Sequence, residues 1–378
     1  MPNSASDDWL PQGFAQRFSA PHVVIAMSGG VDSAVAALRV KESGIRCSAL
    51  FMKNWNEPTD SSECHWEDDV ADALQVCERL DIPINTVDLS EQYWQRVFED
   101  FLHEYQRGRT PNPDILCNRE IKFRAFLDTA REVGGDVVAT GHYVNVAADE
   151  DQHYLCKGND AGKDQSYFLY TLGQDQLRAS LFPVGNLQKT DVRSRAQRAG
   201  LGNHEKKDST GICFIGERHF REFLSRYVPA EPGPVMTLEG RQIGEHHGAV
   251  FYTLGQRQGL GVGGVRGASE APWFVIDKDV VKNVVIVAQG HDHPALLSRS
   301  LRATQVSWVA GSAPKAPFSC LAKTRYRQPD QPCCIEVADG NAVEVTFADP
   351  QRAVTPGQSV VFYAGNRCLG GGIIDSTA

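Results

Sequence analysis

The sequence lacks the features that mark membrane and exported proteins. None of its apolar runs is long enough to cross a bilayer. The first twenty residues hold Asp7 and Asp8 against a single Arg17, which excludes a signal or transit peptide. There is also no internal repeat and no low-complexity tract. We therefore predict a globular cytoplasmic protein without membrane contact, whose residues 1–20 form a disordered tail.

The ten cysteines include no C-x-x-C pair, which argues against a zinc knuckle or ribbon. In the cytoplasm most of them should be free thiols. Cys47, Cys77 and Cys156 are predicted to be buried and to act as small apolar side chains.

The formal net charge of −9 argues at first against a nucleic-acid partner. Residues 58–104, however, hold thirteen Asp and Glu against two Arg, a local balance of −11, so the rest of the chain carries +2 (−9 minus −11). The acidity is confined to one block, which we expect to be a solvated face turned away from any polyanion. RNA therefore remains an allowed partner.

The chain is organised around residues 28–33, Ser-Gly-Gly-Val-Asp-Ser. An apolar run of strand length, residues 22–27, precedes them, and residues 34–42 follow with helical spacing and stop before Gly44. The segment is predicted to be a strand-to-helix turn, whose backbone N–H groups and helix dipole suit a phosphate. Both glycines are expected to allow close approach and positive φ.

Asp32 distinguishes this turn from the common mononucleotide loop, whose pattern G-x-x-x-x-G-K-[ST] has lysine before the hydroxyl residue. An acidic side chain beside phosphates suits a ligand of Mg²⁺ or a group that orients leaving pyrophosphate. The hexapeptide resembles the pyrophosphate loop of the ATP-pyrophosphatase superfamily, whose members cleave ATP between its α and β phosphates and adenylate an oxygen of their substrate. The turn thus predicts the type of reaction, adenylation of a substrate oxygen by ATP, and leaves the substrate open.

Strands alternate with helices beyond the turn. Further strands are predicted at residues 45–53, 84–89 and 136–140, and helices at 66–80, from a cap at Ser90 onward, and at 118–133. This alternation predicts an α/β fold with a doubly wound parallel sheet, in which ligands sit at the carboxyl ends of the strands.

The pattern changes after about residue 216, and prolines at 229, 232 and 234 mark a break. Short β-like runs follow at 249–254, 273–276 and 284–287, and from about residue 300 only strands are predicted. We predict a catalytic domain over 21–219, a small central domain over 220–289 and a C-terminal β-barrel over 290–378.

Two cysteines stand out by their surroundings. Cys117 ends a loop with two prolines that leads into the helix predicted at Asn118. A helix N-terminus with Arg119 and Lys122 close by favours the thiolate, and hence a reactive cysteine. Cys213 lies in a glycine-flanked apolar patch, where the residues alone favour a buried thiol.

Six stretches together resemble the tRNA-specific 2-thiouridylase family, whose catalytic domain is adenine nucleotide alpha hydrolase-like. The stretches are residues 27–33, 112–123, 139–143, 162–167, 209–217 and 252–261. The match runs in order from about residue 21 to residues 370–374. Any one stretch is a weak signal, but the ordered set is highly specific.

The resemblance implies that ATP and Mg²⁺ bind at the turn and that the C2 oxygen of a tRNA wobble uridine is adenylated. A persulfide on Cys213 then replaces that oxygen with sulfur. Cys117 is the partner thiol, which closes a disulfide with Cys213 or frees hydrosulfide, and Asp114 acts as acid/base or orients the uracil. The implied nucleotide contacts are Ala26, Met27, Ser28, Gly29, Gly30, Val31, Asp32, Ser33, Met52 and Gly141.

The resemblance also implies contacts with tRNA, whose anticodon loop supplies a flipped base at low cost. They are Asn112, Pro113, Asp114, His142, Lys163, Asp164, Gln165, Arg325, Tyr326 and Gln358. Residues 325–327, Arg-Tyr-Arg, suit this role as a stacking ring between two guanidiniums. The sulfur would come from a cysteine desulfurase or a sulfur-relay protein. The oligomeric state is left open, with a monomer favoured.

Three alternatives remain at this point. An amide-forming adenylating synthetase of the same superfamily would need an ammonia source and would leave both cysteines unexplained. A non-catalytic RNA-binding module would bind no ATP. An iron–sulfur cluster held by Cys117, Cys213 and Asp114 is less favoured than a persulfide, because too few cysteines lie nearby for full cysteine ligation.

Overall fold

The structure, a computed structural model, describes residues 9–55, 65–149, 152–208, 220–262, 269–339 and 341–378. The predicted site residue Cys213 and the whole stretch 209–217 lie outside these ranges. No helix within them is long and apolar enough to cross a membrane.

The helices of the described chain are short and mostly confined to its first 225 residues. They are α1 Phe14–Arg17, α2 Val31–Glu42, α3 His65–Leu80, α4 Ser90–Tyr93, α5 Glu99–Gln106, α6 Pro113–Leu116, α7 Phe126–Glu132, α8 Gln174–Arg178, α9 Lys189–Arg198 and α10 Phe220–Ser225. π-Type turns at Trp94–Phe98 and Cys117–Ala125 continue α4 and α6, and 3₁₀ turns occupy Ser166–Phe168, Gly202–Glu205, Ala249–Phe251 and Pro294–Leu296.

The strands fall into three sheets. They are β1 His22–Met27, β2 Arg46–Lys53, β3 Ile84–Asp88, β4 Val137–Ala139, β5 Val144–Ala148, β6 His153–Lys157, β7 Ser180–Leu181, β8 Gly233–Thr237, β9 Gln242–His246, β10 Trp273–Asp279, β11 Val284–Gln289, β12 Leu297–Trp308, β13 Phe318–Lys323, β14 Gln331–Asp339, β15 Ala342–Arg352, β16 Ser359–Ala364 and β17 Arg367–Thr377.

The first sheet has the strand order β3-β2-β1-β4-β7, and all its pairs are parallel. Neighbouring residues on β1 point to opposite faces, so Val23 and Val24 belong to separate apolar clusters above and below the sheet. Helices cover both clusters, as in a parallel sheet buried on both faces. This confirms the predicted doubly wound α/β fold and places the turn after β1 at the carboxyl edge of the sheet.

The C-terminal strands form a closed antiparallel barrel in the order β12-β15-β14-β13-β16-β17, because β17 also pairs with β12. The predicted β-barrel is therefore confirmed. The hairpin β5–β6 extends this sheet, with Cys156 opposite Arg367, although it comes from the catalytic part of the chain. The central sheet has the order β10-β11-β8-β9.

Two predictions near the chain start and the central domain are wrong. Residues 9–18 are not part of a disordered tail, because Phe14 is 4% exposed within the catalytic core and three apolar neighbours pack against that core. The run predicted as a strand at 249–254 begins with the 3₁₀ turn Ala249–Phe251, which directs Tyr252 into the central core.

Two predicted helix starts are also wrong. The helix predicted at Asn118 begins five residues earlier, at Pro113, because the side chain of Asn112 accepts the N–H of Asp114 and caps the first turn. Ser90 is the first residue of α4 and not its cap, and Asp88 Oδ1 accepts its N–H at 2.9 Å.

Candidate active site

The turn after β1 is held together by its own hydroxyl groups. Ser33 Oγ accepts the N–H of Ser28 at 3.2 Å and donates to the carbonyl of Gly30 at 2.9 Å. Gly29 has φ +73°, and a Cβ there would overlap the backbone of Asp69, so only glycine fits. Gly30 has φ −82°, so only Gly29 uses the positive φ that glycine allows.

Helix α2 starts directly behind the turn and runs for twelve residues. Gly30 is its N-cap, and no side chain of the described ranges caps it. The first N–H groups of α2 and the positive end of its dipole therefore face the turn, where they can bind an anion. Met27 and Val31 are buried in the core, so a ligand could reach only their backbone atoms.

A network of ion pairs lies beside the turn. Lys189 Nζ is 2.7 and 2.8 Å from the two carboxylate oxygens of Asp32, and 2.7 Å from Asp208 Oδ1. Asp208 also binds Lys163 at 2.5 Å and Arg193 at 3.2 Å. Three cations and two carboxylates thus meet at the edge of the phosphate turn.

The end of β4 and the residues after it form another wall. Gly141 packs so closely on α2 that a Cβ there would lie 2.7 Å from Ser33 N. The hydroxyl of Tyr143 donates to Asp32 Oδ1 at 2.7 Å. Met52 packs against the apolar cluster at the end of β2. The predicted nucleotide contacts therefore lie at the carboxyl ends of three adjacent strands, β2, β1 and β4.

The charge states at this site follow from its contacts. Burial would raise the pKa of Asp208, but hydrogen bonds from Lys163 and Lys189 outweigh this effect and lower the pKa from 3.8 to about 2. Burial, followed by the charge of Asp32, raises the pKa of Tyr143, so its hydroxyl keeps its proton. At neutral pH Asp208 is therefore ionised, and Tyr143 is a neutral donor.

These groups fit a polyphosphate. An uncapped helix start, a glycine turn and the cations Lys163, Lys189 and Arg193 match its charge and its oxygen acceptors. No group of three or more Asp, Glu, His or Cys in the described part of the chain could hold a metal by itself. Asp32 and Asp208, both paired with Lys189, are the carboxylates beside the turn that could contact a Mg²⁺ carried by the phosphates.

Cys117 lies inside a helical segment and not at its start. The segment begins at Pro113 and continues through Cys117–Ala125, so Cys117 is its fifth residue and is fully buried. Burial raises the pKa of its thiol to about 11, against a smaller opposing effect of Lys122. The prediction of a thiolate at a helix N-terminus is therefore wrong for this arrangement.

Comparison with known proteins identifies relatives along the whole chain. Residues 21–217 match a family model described as tRNA methyl transferase HUP domain, residues 221–289 the PRC-barrel domain of the same series, and residues 298–374 an aminomethyltransferase beta-barrel domain. A Methylococcus capsulatus protein named tRNA-specific 2-thiouridylase MnmA is 58% identical over 94% of this chain and 97% of its own length. Proteins with the same name from Tolumonas auensis and Francisella tularensis subsp. novicida are 56% and 54% identical, each over 93% of this chain and over 96% and 98% of their own lengths. The chain belongs to the tRNA-specific 2-thiouridylase family.

Family membership confirms the predicted resemblance. Two of the tRNA contacts that the resemblance implies, Asp164 and Gln165, lie inside the protein or beside the site. Asp164 is 5% exposed and accepts two backbone N–H groups at 3.1 Å, so its carboxylate shapes a turn inside the protein. Gln165 Oε1 accepts the N–H of Tyr143 at 2.9 Å. Gln165 thus supports Tyr143, which donates to Asp32. The predicted contacts of Asp164 and Gln165 with tRNA stay predictions.

His142 is buried between the sheet and the helical segment that carries Cys117. Its Nδ1 lies 2.8 Å from Thr140 Oγ1, and its ring centroid is 5.6 Å from that of Phe123. Burial, with a smaller effect of Lys122, holds the pKa of His142 well below its ordinary value. The ring of His142 is therefore neutral in this arrangement, and its predicted contact with tRNA stays a prediction.

The Arg-Tyr-Arg stretch differs from its predicted arrangement. Arg325 Nη2 donates to the carbonyls of Leu254 at 2.9 Å and Ala353 at 2.7 Å, so this guanidinium faces inward. Only Arg327 lies over the ring of Tyr326, 5.4 Å from its centroid. The prediction of a ring between two guanidiniums is therefore wrong, because one of them joins the central domain to the barrel.

The acidic block is also placed differently from the prediction. Lys206 Nζ binds Asp69 at 2.7 Å and forms a second ion pair with Asp72. The backbone of Asp69 lies against Gly29 of the phosphate turn. The first half of α3 therefore adjoins the site through the backbone of Asp69, and Lys206 balances two of its carboxylates.

Lys189, Asp208 and Arg193 are site residues that the sequence patterns missed. Lys189 reaches Asp32 across 157 positions of the chain. Lys189 itself lies in none of the six stretches that carry the family resemblance. One local signal exists. Lys189 is the first residue of α9, where the helix dipole disfavours a cation, so a nearby acidic partner could have been suspected.

Proposed function

We propose that this chain is a tRNA 2-thiouridine synthase, a sulfurtransferase that uses ATP to activate the C2 oxygen of an anticodon wobble uridine. The observation that carries the proposal is the phosphate turn. Its uncapped helix start and the neighbouring Lys189 form an anion site in a chain whose relatives are named tRNA-specific 2-thiouridylases.

Activation is needed because the uridine C2 carbonyl is a poor electrophile and hydroxide is a poor leaving group. In the first step the C2 oxygen attacks the α phosphorus of ATP, the bond to the bridging oxygen breaks, and pyrophosphate leaves. The N–H groups of α2 and Lys189 stabilise the negative charge of the departing pyrophosphate. Mg²⁺, bound through the phosphates, would supply further charge neutralisation.

Sulfur transfer forms the second half of the proposal. The outer sulfur of a persulfide on Cys213 attacks C2, and AMP leaves with the former C2 oxygen. Cys117 then attacks the inner sulfur, so that the S–S bond of the persulfide breaks, a Cys117–Cys213 disulfide forms, and the transferred sulfur stays on the base. A thiol reductant restores both cysteines.

The raised pKa of the Cys117 thiol limits its attack on the persulfide. With a pKa of about 11, only about one thiol in 10⁴ is ionised at pH 7. Cys117 must therefore transfer its proton to a base before it can attack. Asp114 lies one helical turn earlier and its charge acts on the thiol, which supports the proposal that it receives the proton or orients the uracil.

The remaining partners follow from this chemistry. The substrate is a tRNA that presents a wobble uridine, and the persulfide sulfur comes from a cysteine desulfurase or a sulfur-relay protein. We propose that the enzyme works in the cytoplasm as a monomer. A persulfide route is favoured over an iron–sulfur cluster, as the sequence already indicated.

The test is release of pyrophosphate from ATP in the presence and absence of a tRNA with a wobble uridine. We expect release only with this tRNA, and loss of release in Asp32→Asn. Asp128→Asn, which changes an exposed carboxylate on α7, is the matched control and should behave as wild type.

The alternatives predict different results in the same assay. Pyrophosphate release that requires an amine acceptor and does not depend on tRNA indicates an amide-forming synthetase. Absence of ATP binding indicates an RNA-binding module. Methyl transfer, which the descriptions of the family models name, breaks no phosphoanhydride bond of ATP and would give no pyrophosphate, with or without tRNA.

A further inference from the structure

Thr110, in the loop that leads to Cys117, is in contact with both of the other domains. Its N–H donates to the carbonyl of Pro356 at 3.0 Å, and its own carbonyl accepts from Gln358 Nε2 at 2.8 Å. Its Oγ1 is 3.3 Å from Thr253 Oγ1 of the central domain. Thr110 is 9% exposed. All three domains therefore meet at this residue.

The backbones at this junction are packed without spare room. Gly357 has φ +92°, and a Cβ there would lie 2.8 Å from the backbone nitrogen of Thr110. On the other side, a Cβ on Gly108 would lie 2.7 Å from Val280 Cγ1 of the central domain. Residues 108–110 thus have close neighbours on two sides, the backbone of the barrel at Gly357 and the side chain of Val280.

The junction is close in sequence to the reactive residues. Two residues after Thr110, Asn112 caps the helical segment that carries Asp114 and Cys117. Pro113 is buried, and Cys117 is fully buried. A shift of Thr110 would therefore move the first turn of this segment and change the access to the thiol.

We infer that Gln358 and Gly357 of the C-terminal barrel are positioning residues, which hold the helical segment of Asp114 and Cys117 in its closed arrangement through Thr110. The barrel thereby controls exposure of Cys117. The catalytic consequence rests on the proposed function, whereas the control of thiol access does not.

The first experiment measures alkylation of Cys117 by iodoacetamide in the full chain, without RNA or ATP, with peptide mass mapping. Gln358→Met removes the donor to Thr110 at similar length and without a change of charge. We expect alkylation of Cys117 to become about fivefold faster, the effect of one lost hydrogen bond on local opening.

Cys77 serves as an internal reference within the same protein. Like Cys117 it is fully buried, and burial raises its pKa to about 11, but it belongs to the apolar cluster on the other face of the sheet. Its alkylation should not change. Equal acceleration of Cys77 and Cys117 would mean general destabilisation and would overturn the inference.

A pair of glycine variants gives a second, matched comparison. Gly357→Ala adds strain at positive φ and crowds Thr110, while Gly365→Ala adds strain at φ +58° with no atom within 4 Å of the new Cβ. We expect Cys117 to react about tenfold faster or more in Gly357→Ala and at the wild-type rate in Gly365→Ala. Unchanged rates in both Gly357→Ala and Gln358→Met would overturn the inference.

Kinetics of tRNA thiolation separate positioning from RNA contact. A positioning role predicts that Gln358→Met lowers kcat by about fivefold with little change in KM for tRNA. A raised KM with unchanged kcat and unchanged alkylation would mean that Gln358 acts only as the RNA contact implied by the family. If the chain releases no pyrophosphate with tRNA, the proposed function fails, while the alkylation result still decides the inference.

Discussion

Lys278 offers a prediction whose size can be worked out from its contacts. It lies on β10, and its Nζ donates to the carbonyls of Tyr252 at 2.5 Å and Val250 at 3.4 Å, next to the residue that meets Thr110. Burial lowers its pKa from 10.5 to about 8. Lys278→Met removes the charge and keeps a side chain of similar length.

The sign of the pH dependence follows from proton binding. The folded pKa is lower than the unfolded one, so the unfolded chain binds more protons between pH 8 and 10.5, and the wild type gains stability as pH rises through this window. Between pH 7 and pH 9 the gain is about 1.3 kcal/mol. This is an upper value, because the side chain keeps some contact with solvent. The methionine variant has no such gain.

Calorimetry of the full chain at pH 7 and pH 9 measures the effect. The melting temperature of the wild type, relative to Lys278→Met, should rise by about 2 °C between the two pH values, because the unfolding entropy of a chain of this length is large. Lys282→Met, which changes an exposed lysine of the same domain, is the control and should keep a constant difference from the wild type. A difference for Lys278→Met that does not change with pH would refute the reasoning.

Three further predictions concern the site and the substrate. Lys189→Met should raise the KM for ATP in pyrophosphate release by about tenfold or more, because the phosphates lose a charged partner; an unchanged KM would remove Lys189 from the ATP site. With labelled sulfur from a desulfurase, Cys117→Ser should still carry label on Cys213, while Cys213→Ser should carry none and should accumulate adenylated tRNA; label on Cys117 in that variant would invert the two roles. Affinity for tRNA should fall with rising salt, and Asp68→Asn should barely alter it in a filter-binding assay; a strong gain would mean that α3 faces the RNA.

The phosphate turn could be predicted from the sequence because its determinants are local. A buried strand, a glycine at positive φ and a largely buried helix follow one another within about twenty residues. The alternation of strands and helices likewise predicted the parallel sheet, and the late run of strands predicted the barrel. These signals need no knowledge of distant parts of the chain.

The features that are predicted wrongly depend on tertiary contacts, which local sequence patterns do not reveal. Asn112 and Pro113 favour a helix start, but two prolines close together also favour a loop. The predicted helix start therefore lies five residues too late, and the predicted thiolate at Cys117 depends on that error. The pairing of β6 with β17 and the reach of Lys189 to Asp32 depend on tertiary packing. The position of the reactive thiol relative to solvent is equally non-local.

The most direct test of the central claim is nucleoside mass analysis of tRNA after incubation with the enzyme, ATP and inorganic sulfide as a simple sulfur source. The account predicts 2-thiouridine at the wobble position, formed only when ATP is present and lost in Asp32→Asn. Unmodified wobble uridine after full consumption of ATP, or thiolation without ATP, would contradict it.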